Sequence, residues 1–132
     1  MFLIDANVLI DVAVKSRDWF EWSHGALSAA ADRGPVAINP IIYAEVSLAF
    51  ERPDTLDDAL SRMGIARTQL PYAAGFLAAR AFVAYRRRGG LKRAPLSDFF
   101  IGAHALVEGW TVVTRDPRPF RTYFPTVPLV AP

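Results

Sequence analysis

Cysteine is absent from this chain. Its absence excludes disulfides, thiolate metal sites and a cysteine nucleophile together, and fits a protein of a reducing compartment. Long apolar runs are missing as well. None reaches the roughly 18 residues that a membrane-spanning helix requires. The N-terminus has no basic segment leading into an apolar stretch, so no secretory signal is visible. These absences read as a cytoplasmic protein that does not engage a membrane. Histidine is scarce: His24 and His104 are the two present, neither has a partner at ligand spacing, and both read as structural. Net charge is small, with 15 Lys and Arg against 13 Asp and Glu for a formal +2, so the placing of charges matters more than their sum. No repeat, linker or low-complexity stretch divides the 132 residues, a length that suits one compact domain.

What is present starts at once. Phe2, Leu3 and Ile4 form an apolar run too short for a helix, the pattern of a fully buried parallel strand. Asp5 follows at its carboxyl end. Asn7 reads as an N-cap, with Val8, Leu9 and Ile10 opening a helix. A second helix is expected from about Trp19 to Arg33, capped by Asp18 and stopped by Gly34-Pro35. Val36 to Ile38 is a second strand, and Asn39-Pro40 starts a helix to about Phe50. A short helix fits Thr55 to Met63, and Ile65 to Thr68 a weak strand or connector. Pro71 begins a long helix that ends in Arg86, Arg87 and Arg88 before Gly89-Gly90. A loop over 91–95 carries Lys92 and Arg93. Ser97 reads as the N-cap of a helix from Asp98 to Glu108 that buries Phe99, Ile101, Ala103, Ala105 and Leu106. Trp110 to Val113 is a third strand ending in a turn at Thr114-Arg115-Asp116-Pro117. Phe120 to Phe124 fits a helical turn and Val127 to Val130 an edge strand. Strands alternating with helices predict a doubly wound α/β fold around a parallel sheet.

Four acids fall at positions where such sheets do chemistry. Asp5 and Asp116 follow apolar strands, Asp98 lies in the first turn of a helix, and Glu45 is the one charged residue between Asn39 and Phe50. In a right-handed parallel sheet all four can converge outside the carboxyl ends of the strands. Carboxylates packed together repel and raise each other's pKa. A hard divalent cation, Mg²⁺ or Mn²⁺, removes that cost and bridges carboxylates to phosphate oxygens. The pattern points to hydrolysis of a phosphodiester by metal-activated water.

Asp5-Ala6-Asn7 after an N-terminal strand, Glu45 in an apolar helix, Asp98 opening S-D-F-F-I-G-A-H-A-L, and T-R-D at Thr114 to Asp116 together resemble a PIN-domain ribonuclease. The small size and the order of the motifs resemble the VapC toxins of bacterial toxin–antitoxin pairs in particular. The resemblance covers nearly the whole chain. It implies one PIN domain over 1–132, a three-layer α/β/α fold with a central parallel sheet of four to five short strands, and an Mg²⁺- or Mn²⁺-dependent endoribonuclease. It also implies a homodimer, and inhibition by a cognate antitoxin peptide that occupies the acidic groove. By motif position Asp5, Glu45, Asp98 and Asp116 take the acidic roles, with Asp5, Asp98 and Asp116 as metal ligands. Asn7 and Thr114 take the supporting ones. Many relatives carry a further acid just after the last motif aspartate; here Pro117, Arg118 and Pro119 stand there. One metal is thus implied, and a second only where substrate phosphate adds oxygens.

Other roles are open from the residues. Asp11 shares a helix face with Asn7 and reads more readily as a surface charge than as a site residue. Arg86, Arg87, Arg88, Lys92 and Arg93 suit an RNA phosphate track and equally a helix C-terminus. Arg115 is a further phosphate candidate. Trp19, Trp22 or the long helix is expected at a subunit interface. A haloacid-dehalogenase-like phosphatase also starts with an aspartate after an apolar strand. It needs a second aspartate where this chain has Asn7, and a lysine after the third strand that is missing. A non-catalytic module that binds metal and RNA is the other alternative.

Overall fold

The computed structural model describes residues 1–90 and 96–132. The expected phosphate contacts Lys92 and Arg93, and the loop that carries them, lie outside the described residues.

Five strands form one all-parallel sheet in the order β3-β2-β1-β4-β5, with β1 Phe2–Ile4, β2 Val36–Ile38, β3 Ala66–Arg67, β4 Thr111–Val113 and β5 Leu129–Val130. Among the described residues seven helices flank it: α1 Ala6–Ala13, α2 Phe20–Arg33, α3 Pro40–Ser47, α4 Pro53–Arg62, α5 Tyr72–Arg87, α6 Leu96–Glu108 and α7 Arg118–Tyr123. This is the expected three-layer α/β/α arrangement. β1 is central, and every residue of β1 and β2 is buried. Helices covering both faces leave no solvated side to a central strand, so it reads as continuous apolar residues rather than alternating ones.

Register places the site. Phe2, Leu3 and Ile4 pair with Thr111, Val112 and Val113, so the next residue on each strand, Asp5 and Thr114, emerge side by side. Phe2 and Leu3 pair with Val36 and Ala37 on the other flank. Continued two residues, that register sets Asn39 level with Asp5.

Several boundaries differ from expectation for physical reasons. Asp5, not Asn7, occupies the cap position of α1, and Asn7 lies inside the helix. The Asp5 carboxylate makes no cap hydrogen bond there; its Oδ2 is taken by Thr114 and Asn7. Likewise α2 starts after Trp19 without a side-chain cap, so Asp18 does not cap it. Ser97 falls inside α6, which begins at Leu96. Leu106 of α6 is exposed. Asn39 does cap α3, accepting the Ile42 N–H on Oδ1 at 2.9 Å, with Pro40 at the first helical position, where the missing N–H costs nothing. Phe99, Ile101, Ala103 and Ala105 of α6 are buried as expected. At Gly102 a Cβ would stand 2.4 Å from the Phe124 ring, so only glycine lets the segment after α7 lie this close to α6.

Candidate active site

The acids converge at the carboxyl edge of β1, β2 and β4. Asp5 is 4% exposed. Its Oδ2 accepts hydrogen bonds from Thr114 Oγ1 at 2.7 Å and Asn7 Nδ2 at 3.2 Å. Burial raises its pKa against these hydrogen bonds, and the Asp116 charge adds to the rise. Thr114 is itself fully buried and accepts the Asp116 N–H on Oγ1 at 3.1 Å. Asn7 Oδ1 accepts the Arg115 N–H at 3.3 Å. Asn7 and Thr114 therefore hold one carboxylate and the loop after β4 in a single network.

Asp98 comes from the first turn of α6 and Glu45 from the middle of α3. Burial, then the charges of Asp5, Glu45 and Asp116, push Asp98 up to about 7. Burial and Asp5 also raise Glu45, against a hydrogen bond from Ser97. Ser97 Oγ donates to Glu45 Oε2 at 3.3 Å, while among the described residues Glu45 Oε1 is buried without a hydrogen-bond partner. A buried, unpartnered carboxylate oxygen is costly to maintain and marks a site that a ligand completes.

Asp116 behaves differently. Its carboxylate faces Arg118, with Arg118 Nε donating to Oδ1 at 2.8 Å and Nη2 donating to Oδ2 at 3.0 Å. That pairing pulls its pKa below the usual carboxylate range. The pair is open to solvent, Arg118 being 86% exposed along its side chain, so water screens it and it is weak. Among the described residues no three His, Cys, Asp or Glu side chains are drawn together into a ligand group. The three acids with raised pKa values and Asp116, loosely paired, are the hard oxygens available to a cation here.

The remaining candidates are placed as follows. Asp11, expected at the surface, is 2% exposed and accepts Ser23 Oγ–H at 2.7 Å and Arg115 Nε–H at 2.8 Å on the same oxygen. Arg115 also lies over the Trp19 ring. Arg86 lies over Phe82 and Arg88 over Tyr123, and Arg87 is exposed. His24 stacks on Phe20. His104 is buried, with Nδ1 taking a hydrogen bond from Asn39 Nδ2 at 3.0 Å. Sequence reasoning missed two residues of the site. Ser97 was hidden because serine before a helical aspartate looks like a cap, and Arg118 because it stands where an acid is commoner; the i, i+2 spacing to Asp116 was the available signal.

Fold and site define a class: a parallel α/β domain with acids at the carboxyl edge of its central strands. Residues 2–125 match the model of the PIN domain, and the chain belongs to the PIN-domain family. No curated protein matches it. Among solved structures, VapBC2 from Rickettsia felis, bound to a promoter DNA fragment, is similar with a TM-score of 0.75 at 18% identity, over 98% of this chain and 97% of that one. VapBC-1 from nontypeable Haemophilus influenzae gives 0.73 at 13%, over 98% and 96%. FitAB bound to DNA gives 0.63 at 21%, over 99% and 94%.

Proposed function

We propose that this protein is a divalent-metal-dependent endoribonuclease and the toxin of a VapBC-type pair. The observation that carries the reading is that Asp5, Glu45 and Asp98 lie at one strand edge, each raised in pKa first by burial and then by the charge of another acid there, with Glu45 Oε1 unpartnered among the described residues. An all-oxygen donor set of this kind fits Mg²⁺ or Mn²⁺. When bound, such an ion lowers the pKa of a water and offsets charge on the phosphate. Asp5 and Asp98 would be the main ligands, and Asp116, now paired with Arg118, would add its oxygens directly or through water. Glu45 uses its free oxygen to orient the attacking water and accept its proton. Thr114 and Asn7 fix the Asp5 carboxylate. Arg86, Arg87 and Arg88 contact RNA phosphates without reading sequence, whereas the Arg115 guanidinium is engaged by Asp11.

The similar structures are VapBC and FitAB assemblies and a toxin–antitoxin complex from Klebsiella pneumoniae, which supports a cognate antitoxin as partner here. A homodimer through α5 is supported by Tyr72 and Phe76, large apolar side chains left in solvent, which a monomer rarely groups on one helix. Purified protein should cut RNA, lose cleavage in EDTA and regain it with Mn²⁺, and Asp5→Asn should abolish cleavage with an unchanged circular dichroism spectrum. Cleavage that persists in EDTA, or full turnover by Asp5→Asn, would overturn the assignment. So would hydrolysis of phosphate monoesters with none of RNA.

A further inference from the structure

Asp11 plays no part in the chemistry proposed above, yet it is a nearly inaccessible carboxylate on the helix that follows Asp5. Such a group is tolerated only with firm partners, and it has two, Ser23 Oγ at 2.7 Å and Arg115 Nε at 2.8 Å. The second partner matters because of where it sits. Thr114, Arg115 and Asp116 are consecutive residues of the loop after β4. Thr114 is tied to Asp5 by its hydroxyl, and Arg115 is tied to Asn7 by its backbone N–H. Arg115 is tied again, through its side chain, to Asp11. Positions 7 and 11 are one turn apart on the same face of α1. The loop is therefore fastened to α1 at two heights. Asp116 is the one candidate acid carried by a loop instead of a helix or a strand end. Among the described residues its carboxylate is held by Arg118 alone, through the backbone N–H at 3.4 Å and an exposed guanidinium.

We infer that Asp11 is a positioning residue: through Arg115 it holds the loop so that Asp116 completes the metal-binding edge with Asp5 and Asp98. The inference rests on the nuclease reading for its meaning and on the Asp11–Arg115 pair for its geometry. The Arg115 guanidinium also lies over the Trp19 ring at 5.3 Å, and Asp11 is buried, which makes the pair firmer than an open surface bridge.

The test is Mn²⁺ binding by calorimetry on the full chain, alongside RNA cleavage. Asp11→Ala and Arg115→Ala should each weaken Mn²⁺ binding by about tenfold or more, the usual scale for losing a group that orients ligands. They should lower kcat more than they raise KM, and the double variant should be no worse than either single one. Asp11→Asn, which keeps an acceptor for Arg115, should recover part of the loss. Ser23→Ala removes the other partner of the same carboxylate without touching the loop; it should lower Tm and leave Mn²⁺ affinity unchanged. It also keeps the question open to measurement if Asp11→Ala fails to fold. If the Asp11 and Arg115 variants lose Tm but bind Mn²⁺ as the parent does, the pair is only structural and the inference is overturned. If Arg115→Ala raises KM for RNA with Mn²⁺ affinity intact, Arg115 is a phosphate contact and the inference again fails. A parent that binds no Mn²⁺ removes both this inference and the nuclease reading; a parent that binds it but cuts no RNA removes only the latter.

Discussion

At the scale of single residues, the site is a place where the fold tolerates charge it would otherwise avoid. Asp98 shows this most directly, with its pKa raised from 3.8 to about 7. Folded protein then keeps a proton that the unfolded chain releases between those values, so folding is favoured at low pH and disfavoured as pH rises toward 7. Asp5 and Glu45 are raised and act in the same direction, whereas Asp116 is lowered by Arg118 and acts in the opposite one. In metal-free buffer, Asp98→Asn should match the parent in stability near pH 4 and exceed it at pH 8, as read by urea melts across pH. A parent whose advantage or deficit relative to Asp98→Asn does not change with pH would contradict the ionisation of Asp98 in a buried setting.

Asn39 belongs to the same scale but has a different effect, because both ends of its amide are used. Oδ1 caps α3 and Nδ2 donates to His104 Nδ1. Burial lowers the His104 pKa, so the ring is neutral at physiological pH and its Nδ1 is an acceptor. Asn39→Ala removes a cap, worth about 1 kcal/mol, and strands a buried ring nitrogen, worth about 1–3 kcal/mol more. A loss of roughly 2 kcal/mol or more in chemical unfolding is expected; a loss under about 0.5 kcal/mol would show that the His104 contact is not held in solution.

At the scale of elements, α6 is the hinge between packing and chemistry. Its first turn brings Asp98 and Ser97 to the site, and its middle is fully buried. Gly102 lets the Phe124 ring lie against its backbone. A methyl there meets the body of a ring and not the end of a flexible chain, so Gly102→Ala should cost about 1–3 kcal/mol of overpacking despite alanine's better helix propensity. A variant as stable as the parent in thermal melts would show that the segment after α7 is free to move away. Helix boundaries were legible where one residue decides them, as with Asn39-Pro40. They were not legible at α1, where the expected signal at Asn7 was displaced because that side chain is needed by Asp5 and the loop after β4.

At the scale of the whole molecule, the parallel order β3-β2-β1-β4-β5 brings residues near the two ends of the chain to one edge. A cation that binds only this folded edge stabilises it by mass action and competes with protons for the raised acids. Mn²⁺ should therefore raise Tm at pH 7.5, with little effect at pH 5, and EDTA should reverse it. An equal shift at both pH values would mean that the ion binds elsewhere.

The apolar runs before Asp5 and Asp116 and the acid-poor stretch around Glu45 were enough, from the residues alone, to specify a parallel α/β sheet and to mark its acids, because strand burial and helix starts depend on neighbours a few positions away. The folded arrangement alone decided that Asp11 is buried rather than solvated, that Asp116 faces Arg118, and that Ser97 serves Glu45. Those outcomes depend on partners 104 residues apart for Asp11 and Arg115 and 52 apart for Ser97 and Glu45, or on which way a loop side chain turns. No local pattern encodes them, because only the strand register and the packing of helices over the sheet bring such groups within hydrogen-bond reach.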